Sequence, residues 1–468
     1  MSERPPLGRG AVRPPGAEDL VRKANLKGDV VFAVTDARTG EILESRGVKT
    51  RVAPASVTKS ITALYALDVL GPAYRFTTRV VATGGVRDGV VQGDLVLVGG
   101  GDPTTDTRDF AQLAAQLKGA GIHAVKGRFK VFDGHIASLR SIDPGQPDHV
   151  GYNPAVAGIA LNFNRVHFQW KRGSGTYDVT MDARAGKYRP DVTIAQMQVV
   201  DRGAPVFTYA DRGGKDDWTV ARGALGREGA RWLPVRRPGL YAAEVFATLA
   251  RSYGIVLGRA TIARNAPDGE TLAQIQSEPL SVVLKSMLKF SNNLMAEMIG
   301  LVATRARFGK VGSLRASAAQ MNAWAVEHLN MDTPGFADHS GLGSASRVSA
   351  GDMVRGLGAT GRGSLLRPLL KPVKLLDPQG RPVNDHPVQA DAKTGTLNFV
   401  SGLAGYATAP GGRDLIFAIF AADEDTRAGI PRAQRERPPG SRTYANKARR
   451  LQRQLIMRWG AEFGDAEG

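Results

Sequence analysis

Apolar positions fall into short runs with two periods. Residues 29–34 form a β-branched apolar stretch. Arg38-Thr39-Gly40 breaks it, and residues 41–45 resume, which predicts a hairpin. After Pro54 the period lengthens: Val57, Ile61, Leu64 and Asp68 follow helical spacing, and Gly71-Pro72 closes the helix. From Tyr74 to about Arg264 glycine-punctuated strands dominate, at 77–83, 94–98, 177–181, 192–194 and 198–200. Two helices interrupt them. Residues 109–118 place Phe110, Leu113, Ala114 and Leu117 on one face, and 238–253 open on Pro238 and stop at Gly254. Helices return at 281–290 and 294–307. Strands follow at 402–408 and 415–421 around Pro410-Gly411-Gly412. The last helix carries Tyr444, Ala448, Leu451, Leu455 and Trp459 on one face, with Arg and Lys opposite. That stripe suits packing on a sheet, the favoured reading, or contact with a membrane surface.

The two ends share a hairpin-and-helix character, and the middle does not. This predicts an α/β domain split in sequence. Residues 19–72 and 265–468 would form one half, 73–103 with 161–264 a first β-rich insert, and 104–160 a second, nested insert. Residues 1–18, rich in Pro, Gly and Arg, read as a disordered lead without a signal-peptide core.

Composition narrows the chemistry. There are no cysteines, which excludes disulfides, thiolate metal sites and a Cys nucleophile. The 7 histidines show no metal-ligand spacing, and no Gly-Lys is followed by Ser or Thr, so no metal or organic cofactor is expected. Lys and Arg number 62 against 44 Asp and Glu, a net charge of +18. These charges are dispersed and lack interleaved aromatics, which argues against nucleic acid. No apolar run nears the roughly 18–20 residues of a membrane span.

Three short constellations carry chemistry. Ser56-Val57-Thr58-Lys59 puts a hydroxyl and an amine on one face at a helix start, where a lysine of lowered pKa can take the serine proton. The bland reading is a cap and a solvated lysine, and the same spacing recurs at Ser286-Met287-Leu288-Lys289 on an ordinary helix face. Ser291-Asn292-Asn293 offers a proton relay at Ser291 and an amide at Asn293, or a plain turn. Lys393-Thr394-Gly395-Thr396 offers a cation and hydroxyls for a carboxylate, with Gly395 leaving room for a substrate backbone. Asp148 could meet a substrate amino group, though a plain loop residue is the simpler reading.

Together and in this order, the three resemble the signature set of active-site serine penicillin-recognising enzymes. The 231 residues from 60 to 290 narrow the likeness. So long an insertion resembles the D-alanyl-D-alanine carboxypeptidase/endopeptidase family, the low-molecular-mass penicillin-binding proteins with inserted domains. Gly93-Asp94-Leu95, Gly99-Gly100-Gly101-Asp102-Pro103, Tyr152-Asn153-Pro154, Leu161-Asn162-Phe163-Asn164, Ser340-Gly341-Leu342 and Arg347-Val348-Ser349 are similar to that family too. His339 is a departure, standing where a small residue is expected at the site's rim.

The resemblance implies a penicillin-binding/β-lactamase-like transpeptidase domain, an antiparallel sheet flanked by helices, with β-rich inserts. It implies Ser56 as nucleophile and Lys59 as base, kept neutral by Lys393 and burial. Ser291 and Asn293 would assist, and Lys393, Thr394, Gly395 and Thr396 would bind substrate. Peptidoglycan peptides would be substrates, β-lactams covalent inhibitors, and the location extracytoplasmic. A β-lactamase or D-amino-acid esterase on the same fold, or an inactive polyanion-binding wall protein, are the alternatives.

Overall fold

The computed structural model describes residues 15–359, 365–377 and 379–464. The expected lead ends earlier than residue 18, because a helix already spans Ala17–Ala24; residues 1–14 lie outside the described residues.

The ends of the chain build one sheet. Its strand order is Lys371–Pro372, Gln389–Leu397, Val400–Thr408, Asp414–Ala422, Asp29–Asp36, Ile42–Arg46. The opening hairpin therefore pairs antiparallel with the last long strand, from Asp29↔Ala422 to Asp36↔Leu415. Val400–Thr408 and Asp414–Ala422 are buried along nearly their whole length. Both faces are covered, which is why these strands read as continuous apolar runs.

One cover is the terminal helix Ser441–Glu462. Its Tyr444, Ala448, Leu451, Leu455 and Trp459 join Phe32, Leu403 and Phe417 in a core, and the Phe32 and Trp459 ring centroids lie 5.7 Å apart. The apolar stripe is thus consumed by packing on the sheet and is not presented to a lipid surface. Among the described residues no helix is long and apolar enough to cross a membrane.

The other face carries the helix Thr58–Leu70. Every residue from Thr58 to Leu67 is buried, so this helix is enclosed on all sides rather than amphipathic. Asp68, expected on its apolar line, instead accepts a hydrogen bond from Trp324 Nε1 at 2.8 Å. Two further helices, Leu314–Leu329 and Ala350–Gly358, were not anticipated. The first is rich in alanine, which blunts hydrophobic contrast, although Ser313 caps it through the Ala316 N–H at 3.1 Å.

The middle is β-rich as expected, but strand pairing divides it differently. Phe129–Phe132 runs parallel to Leu95–Val98, and Thr107–Gly119 packs on Pro238–Ser252 and Glu270–Gln276. Within 104–160, residues 107–132 therefore join the five-stranded sheet unit, whereas Ile136, Ile142, Val156 and Ala160 pack into the core that holds the helix Thr58–Leu70. Glu270–Gln276, expected in the enzymatic half, pairs with Thr77–Ala82. Residues 165–234 supply two three-stranded sheets. We propose 77–132 with 238–276 as one inserted unit and 165–234 as the other. Of the two short strands expected at 192–194 and 198–200, only the second falls in a strand, which runs Ala195–Val200. Residues 193 and 194 leave the ladder because their N–H groups donate to the Glu244 carboxylate at 2.6 and 3.0 Å.

Leu455 is fully buried between helix and sheet. Leu455→Ala is expected to lower stability by about 2–5 kcal/mol through the cavity it leaves, measured by denaturant unfolding, with no change in binding to anionic vesicles.

Candidate active site

Ser56 sits in a single tight turn, Ala55–Val57, immediately before the buried helix. Ala55 holds a left-handed backbone, φ 49°, a costly conformation for a residue with a Cβ. Two close approaches hold the turn. A Cβ on Gly341 would lie 1.9 Å from the Ala55 carbonyl oxygen, and one on Gly395 would lie 2.7 Å from that of Pro54. Gly395 therefore makes room for the protein's own backbone, which corrects the expectation that it makes room for substrate.

Lys59, one turn along, is fully buried. Its Nζ donates to Ser56 Oγ at 2.8 Å, to Asn293 Oδ1 at 2.8 Å and to the Ser340 carbonyl at 2.7 Å. Burial pushes this ammonium down to about 7, against the opposing pull of the Glu297 and Asp338 carboxylates. Burial, rather than Lys393, is thus the leading cause of its lowered pKa.

Ser291 ends the helix Leu280–Phe290 in a left-handed conformation, φ 54°, and Asn292 caps the next helix through the Met295 N–H at 3.1 Å. The expected turn is thus the junction of two helices, and Asn293 is the first residue of Asn293–Phe308. Ser291 Oγ accepts from Lys393 Nζ at 3.0 Å. Lys393 is 2% exposed, and burial followed by the Lys59 charge holds it well below the lysine range. It lies within the strand Gln389–Leu397, on which Thr394 and Thr396 are exposed toward the cleft.

All eight predicted residues therefore converge on one place. Ser56, Ser291, Asn293, Thr394 and Thr396 line a cleft of about 740 Å³, with Lys59 and Lys393 beneath. The repeat of the Ser-x-x-Lys spacing at Ser286 and Lys289 lies on a helix face with Lys289 exposed.

The segment 133–160, which joins the two proposed inserted units, furnishes the opposite wall through Asp143, Gln146 and Tyr152. The Tyr152 carbonyl accepts from Asn293 Nδ2 at 2.9 Å, so Asn293 bridges Lys59 and that segment. Asp148 is not free for a substrate amine, since Arg432 pairs with it at 2.9 Å. That contact, with His149–Glu436 at 2.7 Å, ties this joining segment to the residues before the terminal helix.

Sequence reasoning missed the support behind Lys59. Glu297 is fully buried. Its two oxygens accept the backbone N–H groups of His339 and Ser340 at 3.0 and 2.9 Å. Asp338 accepts those of Gly341 and Gly343 at 2.6 and 2.7 Å. These bonds aim the Ser340 carbonyl at Lys59. Burial raises both carboxyl groups above their ordinary range. The signal was present as a glutamate on the line Asn293, Glu297, Gly300, but only a fold could show its direction.

His339 is likewise not on the rim. It is fully buried behind Lys59, and Ser317 Oγ lies 2.7 Å from its Nε2. A Cβ on Gly300 would come within 2.2 Å of its ring, so the large residue is accommodated by a missing side chain opposite. Burial lowers its pKa to about 3, which leaves the ring neutral. Among the described residues no group of three or more His, Asp or Glu could hold a metal ion.

A family model for the D-Ala-D-Ala carboxypeptidase 3 (S13) family matches residues 17–436. The chain is 30% identical over 422 residues to the D-alanyl-D-alanine carboxypeptidase of Actinomadura sp. (strain R39), covering 82% of this chain and 76% of that protein. It is 24% identical over 436 residues to a D-alanyl-D-alanine carboxypeptidase of Haemophilus influenzae, covering 86% and 87%. The fold matches the crystal structure of penicillin binding protein 4 from Haemophilus influenzae with a TM-score of 0.75 at 19% identity, over 97% of this chain and 100% of that one.

Glu297→Gln replaces one of two acceptors by a donor, which leaves a buried N–H unpaired at a cost of about 1–3 kcal/mol. Acylation by a chromogenic penicillin is expected to slow by about 5- to 150-fold. Its pH midpoint should move lower, because the lost carboxylate was raising the Lys59 pKa. A stopped-flow pH profile reads both, and an unmoved midpoint would refute the coupling.

Proposed function

Since the chain belongs to the D-Ala-D-Ala carboxypeptidase 3 (S13) family, we propose that Ser56, Lys59, Ser291 and Asn293 carry its chemistry and that Lys393, Thr394 and Thr396 receive its substrate. The protein is a serine-type D-Ala-D-Ala carboxypeptidase. The observation that carries the assignment is a buried amine of lowered pKa 2.8 Å from a cleft-facing hydroxyl.

Neutral Lys59 accepts the Ser56 proton as Oγ attacks the carbonyl carbon of the penultimate D-alanine. The Ser56 and Thr396 backbone N–H groups stabilise the oxyanion, an interaction typically worth about 10²–10³ in rate per donor. The C–N bond then breaks as Ser291, hydrogen-bonded to Lys393, passes its proton to the departing amine and takes in its place the proton Lys59 had accepted from Ser56, which returns Lys59 to its neutral form for the attack of water. Asn293 orients the acyl-side amide. Thr394 meets the terminal carboxylate with its hydroxyl, and the arriving negative charge favours the protonated form of Lys393 beneath it. Water hydrolyses the ester and restores Ser56.

A β-lactam presents the same amide and carboxylate and acylates Ser56. Its ring-opened amine stays tethered, so the site remains blocked to water. The same acylation cuts a D,D-cross-link where the leaving amine belongs to a neighbouring stem peptide, giving endopeptidase action. A substrate in the cell wall places the enzyme outside the cytoplasmic membrane.

Intact mass after penicillin exposure is expected to show one added penicilloyl group, absent in Ser56→Ala. Rapid loss of that adduct with continued penicillin destruction would instead indicate a β-lactamase. D-alanine release should rise with pH through about 7, as Lys59 loses its proton, and level above it. A rate that falls over this range would refute Lys59 as the base.

A further inference from the structure

A second concavity, of about 490 Å³, lies where the five-stranded sheet of the insert meets the far end of the helix Asn293–Phe308. Arg75, Arg79 and Arg305 line it, together with His135 and Thr77, and no carboxylate does. Among the described residues no carboxylate pairs with Arg79 or Arg305, and Arg75 donates to the Ser277 carbonyl at 2.7 Å. Three guanidinium groups thus converge on one pocket with their charge unmatched. Part of its floor is the backbone of Gly99 and Gly100. A Cβ there would lie 2.4 Å from the Gly158 oxygen and 2.1 Å from the Thr77 oxygen.

We propose that this pocket is a binding site for a phosphate group, free or as an ester. One guanidinium satisfies the two oxygens of a carboxylate. A tetrahedral phosphate, with three or four acceptor oxygens and up to two charges, is matched by several planar forks. Gly99 and Gly100, which the peptidase chemistry does not use, can form this floor because neither has a side chain to collide with the Gly158 or Thr77 carbonyl oxygen packed behind it. His135 faces the same space, and burial together with Arg305 and Arg79 holds it neutral at pH 7. A bound anion offsets those two arginines and draws a proton onto the ring. The pocket is separate from the cleft. Arg305 lies twelve residues along the helix from Asn293, about 18 Å at 1.5 Å per residue.

The test is calorimetric titration of the full chain at low salt with inorganic phosphate and with glycerol 3-phosphate. Saturable one-to-one binding is expected, weakened about tenfold or more in R79Q/R305Q, the loss of at least one charged hydrogen bond. Fluorescent penicillin labelling of Ser56 should be the same in both proteins, which reports that the variant is folded. Independently of any variant, the NMR titration of His135 in the wild-type protein should shift to higher pH with phosphate. Tighter binding of the ester assigns the source to a phosphoester, and equal binding assigns it to free phosphate. Equal affinity in wild type and variant, no saturable binding of either ligand at millimolar concentration, succinate binding as tightly as phosphate, or an unmoved His135 would each overturn the proposal.

Discussion

Everything in the site depends on one ammonium that has nowhere to go. Lys59 is buried in a helix that is itself enclosed, and its three hydrogen bonds end on Ser56, Asn293 and Ser340. Each acceptor comes from a different part of the chain, so the amine registers three segments against one another. Removing it from water also lowers its pKa, and a lowered pKa is what its proposed role as a base at neutral pH requires. Structural clamp and catalytic poise are thus the same interaction.

The support beneath that amine explains several odd residues at once. Glu297 and Asp338 spend their oxygens on backbone N–H groups of residues 339–343. They are buried carboxyl groups that hold a loop in shape while exerting a field on Lys59. Gly300 and His339 are one packing solution, a small residue opposite a large one. Gly341 and Gly395 press from two sides on the strained Ala55 turn. The strain at Ala55 persists because the surroundings leave that turn no alternative.

The segment 133–160, which joins the two proposed inserted units, also shapes the cleft. Asn293 is anchored to the Tyr152 carbonyl, and the loop that carries Tyr152 is tied through Asp148 and His149 to residues 432–436. One wall of the cleft is therefore built on residues that lie between the Ser56 and Ser291 motifs in the chain. That wall and the buried lysine meet at a single side-chain amide.

The candidate site residues were legible in the sequence because their pattern depends on residue type at short spacing. Ser56 and Lys59 are one helical turn apart wherever that helix lies, and Ser291 with Asn293 and Lys393 with Thr394 are likewise local patterns. The split sheet was legible because strands buried on both faces, such as 414–422, show as unbroken apolar runs. What only the tertiary structure decided is whatever depends on who stands opposite. The helix behind Ser56 is not amphipathic because it is covered on every side. Gly395 answers to Pro54, His339 to Gly300, and Glu297 to a loop more than forty residues away. The strands of 77–132 and 261–276 sort by hydrogen-bond partners far apart in the chain, so composition could find a β-rich middle and not its division. Local spacing encodes the reacting groups, whereas burial and long-range backbone pairing set their pKa and their aim, and those are properties of the folded whole.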